Sequence, residues 1–132
     1  ACAAGVATIA ALRDERLVEN AAAVGEVLRE GMLDLADDHR SVGEVRGLGL
    51  LWGIELVRDG QTREPLVPYA ATGEAAEPMA ALRRAALDRG LHVYTHGNVL
   101  LVAPPLIVGR DEIATGLDIL DDVLALADGL AD

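Results

Sequence analysis

The sequence predicts an α+β fold, a small antiparallel sheet covered by helices, and three observations carry that prediction. Residues 41–57, SVGEVRGLGLLWGIELV, alternate Leu50, Trp52, Ile54 and Leu56 with Leu51, Gly53, Glu55 and Val57, the period of two that turns successive side chains to opposite faces of a sheet. Other segments repeat their apolar residues every three or four positions, as a helix with one buried face does. The core that these elements share must be aliphatic and small, because Phe is absent and aromatics make up 2% of a chain that is 52% apolar.

Taken in order, residues 1–12 carry Val6, Ile9 and Ala10 at helical spacing without a proline, which predicts one helix. Cys2, set among alanines, reads as a small buried residue. Asp14 is placed to cap the next helix, its short side-chain oxygen accepting an unpaired backbone N–H, and Leu17, Ala21, Val24, Leu28 and Met32 mark that helix's apolar stripe. Asp37, Asp38, His39 and Arg40 form a polar exit into the hairpin. Within the hairpin Gly47, Gly49 and Gly53 leave room for the strand corner or for a close neighbouring backbone. Trp52 reads as core, and Arg46 as a strand arginine paired with a nearby carboxylate. Residues 58–72, with Asp59-Gly60 and two prolines, read as loop. Pro78 fits the first turn of a further helix with the stripe Met79, Leu82 and Ala86, ended by Gly90. Residues 91–95 and 99–102 predict a second strand pair joined through His96-Gly97-Asn98. The last helix starts near Gly109, has Asp111 and Glu112 in its positive first turn, and aligns Ile113, Leu117, Leu120, Leu124 and Ala127.

At 132 residues the chain suffices for one domain with a core but is short for a two-domain enzyme. Its start at Ala, inside a helix, is expected of a piece of a longer protein. The formal net charge of −11 argues against nucleic acid or an anionic membrane as partner, since both select clustered basic residues. No apolar run reaches the roughly 18 residues of a membrane span, and a signal peptide's charged start is missing, so a cytoplasmic location is expected. One cysteine and three separated histidines give no zinc spacing. Nucleophile-elbow, P-loop and dinucleotide motifs are likewise absent.

One polar constellation remains. His92, Tyr94, His96 and Asn98 stand at alternate positions, so an extended strand would point all four the same way. They read either as a solvated sheet face or as part of a site.

Three stretches together resemble the small C-terminal domain of class III pyridoxal-phosphate-dependent aminotransferases, of fold type I. These are Ala1–Gly5, ACAAG; the run VRGLGL followed by GIEL within residues 45–56; and Val102–Val108, VAPPLIV, resembling a strand that ends before the last helix. They come in family order and span the chain. The resemblance implies that residues 1–38 are a helical segment leading in from a large domain and that residues 39–132 are the small α+β domain. It further implies an enzyme that moves an amino group between an amine or amino acid and a keto acid and works as a homodimer; the same domain also serves aminomutases, racemases and decarboxylases, and nothing in these residues separates them. Such an enzyme holds pyridoxal 5'-phosphate covalently on a lysine. All eleven basic residues here are arginines, so the catalytic lysine and the cofactor site are expected upstream, in the large domain. No catalytic, cofactor-binding or metal-binding residue is expected in this chain, and on its own it is expected to be inactive.

In the resembling enzymes the turn before the A-P-P segment reaches the mouth of the active site, which makes Tyr94 and His96 the candidate substrate-binding residues. The sequence departs from two arginine patterns of the family. Leu101 stands two residues before the A-P-P alanine, where some members carry a carboxylate-binding arginine, and Tyr94 is the nearest match to a mobile arginine of others. Neither side chain reproduces the paired hydrogen bonds of a guanidinium. Two rival functions follow from the residues alone: a non-catalytic regulatory module binding a small ligand at the glycine-rich corner, and a dimerisation module.

Overall fold

A computed structural model describes residues 2–131 of the chain. Two helices open it, α1 (Cys2–Asp14) and α2 (Leu17–Asp38), followed by the hairpin strands β1 (Val42–Leu48) and β2 (Leu51–Asp59). A short strand β3 (Glu64–Pro65), a 3-10 turn (Gly73–Ala76) and α3 (Glu77–Asp88) come next, then β4 (Tyr94–His96), β5 (Val99–Val102) and α4 (Arg110–Asp128). Ala1, expected to begin the first helix, lies outside the described residues. The sheet is antiparallel in the order β1-β2-β5-β4, with β3 paired to the far end of β2. The expected α+β architecture is therefore present.

One face of this sheet meets the helices. Leu50, Trp52, Ile54 and Leu56 are buried along the hairpin, as their alternation predicts, and Leu100 joins them from β5. Val24, Leu28, Met32 and Leu35 of α2, Met79, Leu82 and Ala86 of α3, and Ile113, Leu120, Val123 and Leu124 of α4 close over them in a single core. The N–H of Trp52 is satisfied at 2.9 Å by the carbonyl of Gly49, so the only indole of the chain is buried without a polar penalty. Gly49 makes the strand corner at φ +58, and Gly25 of α2 rests directly on it: a methyl built on Gly25 would lie 2.7 Å from Gly49 Cα. The helix and the corner approach as closely as two glycines permit.

Several details differ from the sequence reading. Asp14 does not cap α2; it ends α1, because the helical bonding runs on past it, with Glu15 N–H donating to the Ala11 carbonyl. The chain then turns at Arg16, φ 52, which starts α2 without a side-chain cap. No residue of α1 is buried, and Cys2 is exposed rather than packed. The 58–72 loop contains β3, because the Asp59 carboxylate accepts N–H bonds from Gln61 and Thr62 at 2.7 and 3.2 Å and folds the chain back beside β2. That return buries Leu66 and Val67, which the sequence reading left out of the core. Strand β4 is shorter than expected, since Leu91 N–H still bonds the Ala86 carbonyl, closing α3 around Gly90 at φ +92. The strand resembled by VAPPLIV stops at Val102; Pro104 and Pro105 have no N–H to give a ladder. This segment is tied instead to α2, where Asn20 Nδ2 donates to the carbonyls of Leu106 and Val108 at 2.7 and 3.1 Å. Gly109 donates its N–H to Glu112 Oε2 at 2.8 Å and so fixes the start of α4.

Candidate functional site

Of the four alternate residues singled out on sequence, β4 carries two. Tyr94 pairs in register with Leu101 and His96 with Val99, so Tyr94 and His96 lie on the sheet face that the helices leave open. Tyr94 is 60% exposed, and the ring of His96 stands edge-on to Tyr69, with centroids 6.4 Å apart and planes at 77°. The period of two breaks at both ends. His92 precedes the strand and lies in a hollow with Arg83, Arg84 and Leu87. Asn98 is a structural tie: its Nδ2 donates to the Leu56 carbonyl and its own carbonyl accepts from Leu56 N–H, both at 2.8 Å.

Across the open face run Leu48, Leu51, Gly53, Val99 and Leu101, which with Arg46 line a shallow apolar hollow. Leu101 is only half-buried there and offers no hydrogen bond where a guanidinium would. Arg46 is not available for a ligand either, since its guanidinium pairs with Glu44 at 2.8 Å and Glu55 at 3.2 Å, while Arg63 approaches Glu44 from β3's side of the sheet. Around the sheet edge from Tyr94, a cleft of about 380 Å³ opens between α3, the β4–β5 turn and residues 67–71. Val67 and Met79 form its buried floor, and Tyr69, Arg83 and His96 stand at its walls.

A polar cluster that the sequence reading passed over joins the two ends of the fold. His39, 7% exposed, bonds Asp128 through Nδ1 at 2.7 Å and Asp121 through Nε2 at 3.0 Å. Asp128 also accepts the Ser41 N–H at 2.9 Å, and Arg40 donates to the Asp128 carbonyl. Burial opposes the charge of His39, but the hydrogen bonds to Asp128 and Asp121 outweigh it and hold its pKa above the ordinary value. Burial likewise opposes ionisation of Asp128, and the bonds from Ser41 and His39 overcome it and keep that pKa below the usual carboxylate value. The signal available in the sequence was the seven-residue spacing of Asp121 and Asp128, two helical turns on one face. The cluster fastens the α2–β1 corner to the end of α4.

None of these side chains can hold pyridoxal phosphate covalently, because the chain has no lysine. Among the described residues no group of three His, Cys, Asp or Glu side chains is arranged to hold a metal ion.

The sequence model of the family described as aminotransferase class-III matches residues 1–124. The chain belongs to that family. An ethanolamine-phosphate phospho-lyase homologue of Caenorhabditis elegans is 36% identical over 129 residues, covering 96% of this chain and 26% of that protein. The 4-aminobutyrate aminotransferase GabT of Escherichia coli strain K12 is 32% identical, covering 91% and 27% respectively. Among solved structures, a taurine:2-oxoglutarate aminotransferase from Bifidobacterium kashiwanohense, in complex with PLP and glutamate, superposes at a TM-score of 0.90 with 26% identity, over 97% of this chain and 28% of that one. An amine transaminase from an uncultivated Pseudomonas species, in its PLP-bound form, gives a TM-score of 0.85 with 36% identity over 96% and 27%. This class III chain thus spans about a quarter of the length of the curated relatives it matches. These four relatives are named for enzymes, which favours neither of the non-catalytic modules considered on sequence.

Proposed function

We propose that this chain is the small C-terminal domain of a pyridoxal-phosphate-dependent aminotransferase that exchanges an amino group between an amine or amino acid and a keto acid. The observation that carries the proposal is the match to the class III family along residues 1–124 in a chain without lysine. The lysine and the cofactor then belong to a large domain outside these residues, with residues 1–38 leading in from it and residues 39–132 forming the domain that closes over the substrate. A closing domain of this kind excludes water and completes the substrate contacts without supplying the nucleophile. Tyr94 and His96 are its substrate-sorting residues, a reading supported by their place on the uncovered sheet face beside Leu101. The relatives named as 4-aminobutyrate and taurine aminotransferases point to small amino compounds as the donor class. A cytoplasmic homodimer completes the proposal; the exposed Leu48 and Leu51 of the open face and Val6 and Ile9 of α1 supply surface for the large domain or a second subunit to cover.

The test of the site uses the complete enzyme. Replacing Tyr94 or His96 by Ala is expected to raise KM for the amino donor about tenfold, the effect of one or two lost polar contacts, while the cofactor's absorbance stays unchanged. Unaltered KM values for donor and acceptor in both variants would remove these residues from the substrate path.

A further inference from the structure

The cleft between α3 and the edge strand β4 carries an arginine that nothing among the described residues pairs. The chain holds 22 acidic residues against 11 basic ones, yet neither this cleft nor the hollow adjoining it has a carboxylate in its lining, and Arg83 borders both. Most arginines of the fold are engaged. Arg29, Arg46, Arg63, Arg84 and Arg89 pair with carboxylates, and Arg40 and Arg58 donate to backbone carbonyls. Among the described residues Arg83 has no hydrogen-bond or ion-pair partner, although it neighbours Arg84, whose charge is met by Glu77. His96, a ring N–H donor, and the hydroxyl-bearing ring of Tyr69 line the same cleft. Beneath them the floor is apolar, with Met79 4% and Val67 2% exposed and Ala71, Ala76 and Ala80 adding no bulk.

We propose that this cleft binds a small organic anion, its oxyanion head on the Arg83 guanidinium and the His96 ring and a short aliphatic body over Met79 and Val67. A guanidinium offers an oxyanion two parallel donors, and removal from bulk water on one side strengthens the pair. The volume suits a body of a few carbon atoms. Because His96 belongs both to this cleft and to the proposed substrate face, the anion is either the far end of the amino substrate or a separate effector. In the first case the inference rests on the function proposed above; in the second it stands without it.

The test is a calorimetric titration of the complete, cofactor-loaded enzyme with butanoate. The expected result is saturable binding that weakens roughly tenfold or more in Arg83→Ala, as loss of a charged hydrogen bond implies, is partly restored in Arg83→Lys, and is unchanged in Arg110→Ala. Arg83 is exposed on α3 and its removal leaves the core untouched. The two sources are then separated by KM in Arg83→Ala. A rise for 4-aminobutyrate but not for butylamine assigns the cleft to the substrate's own anionic end, and no rise for either assigns it to a separate effector. Absence of saturable binding, or equal binding by wild type and Arg83→Ala, overturns the proposal. The heat signal needs no turnover, so failure of the transfer reaction would be seen separately.

Discussion

His39 is held by residues more than 80 positions away, Asp121 and Asp128, and its protonation links the helical entry of the fold to its last turn. Its folded pKa is raised, so its contribution to stability is complete below its ordinary value of 6.5 and is lost as pH rises through the folded value. Asp128 behaves oppositely: its pKa is depressed, and its contribution is complete above 3.8 and lost as pH falls through the folded value. The two overlap in mildly acidic solution. His39→Ala should therefore destabilise the protein by about 1–3 kcal/mol there, by removing charge-assisted hydrogen bonds and leaving two carboxylates without their partner. The difference between wild type and variant should shrink as pH rises past neutrality. Urea unfolding of both proteins from about pH 4 to about pH 9 measures it, and a difference independent of pH would contradict the assignment. In the sequence only the polar stretch at residues 37–40 and the seven-residue spacing of Asp121 and Asp128 hint at this, because the cluster itself exists only once α4 has packed beside the corner. Tyr94 and His96 were legible as a pair, since strand alternation is local, whereas the diversion of Asn98 to Leu56 depends on the neighbouring strand.

At the level of elements, Gly25 and Gly49 set how α2 sits on the hairpin. In an exposed helix Gly→Ala stabilises by about 0.5–1 kcal/mol through lost backbone freedom of the unfolded chain. Here the added methyl would meet Gly49 Cα, C and O at 2.7–2.8 Å, all backbone atoms, and overpacking of that kind costs about 1–3 kcal/mol. The steric effect wins, so Gly25→Ala should lower the denaturation midpoint; a raised midpoint would show that α2 can shift away freely. The hairpin, the stripes of α2, α3 and α4, and the glycine corner could all be read from periodicity and turn residues. Periodicity fails where an element's partner is remote or its ending is set by a bond: β3 exists through the Asp59 turn, and β4 starts late because Leu91 still closes α3. Cys2 was misplaced for a related reason. An alanine-rich helix looks buried by composition, but in α1 only Ala11 and Leu12 are even half-buried.

Viewed as a whole molecule, the fold has one finished face and one unfinished one. The helix-covered face encloses the core, while Leu48, 88% exposed, and Leu51, 60% exposed, lie on the open side of the sheet with Tyr94. A class III chain a quarter the length of its relatives, with no lysine and an open apolar face, fits the proposal of a part that works against a larger cofactor-bearing domain. That is the central claim, and it concerns the complete protein. The most direct measurement is the absorbance spectrum of that protein before and after borohydride reduction, with the modified peptide mapped. A cofactor band fixed by reduction onto a lysine outside residues 1–132 is the predicted result. A colourless protein that takes up no pyridoxal phosphate would contradict it.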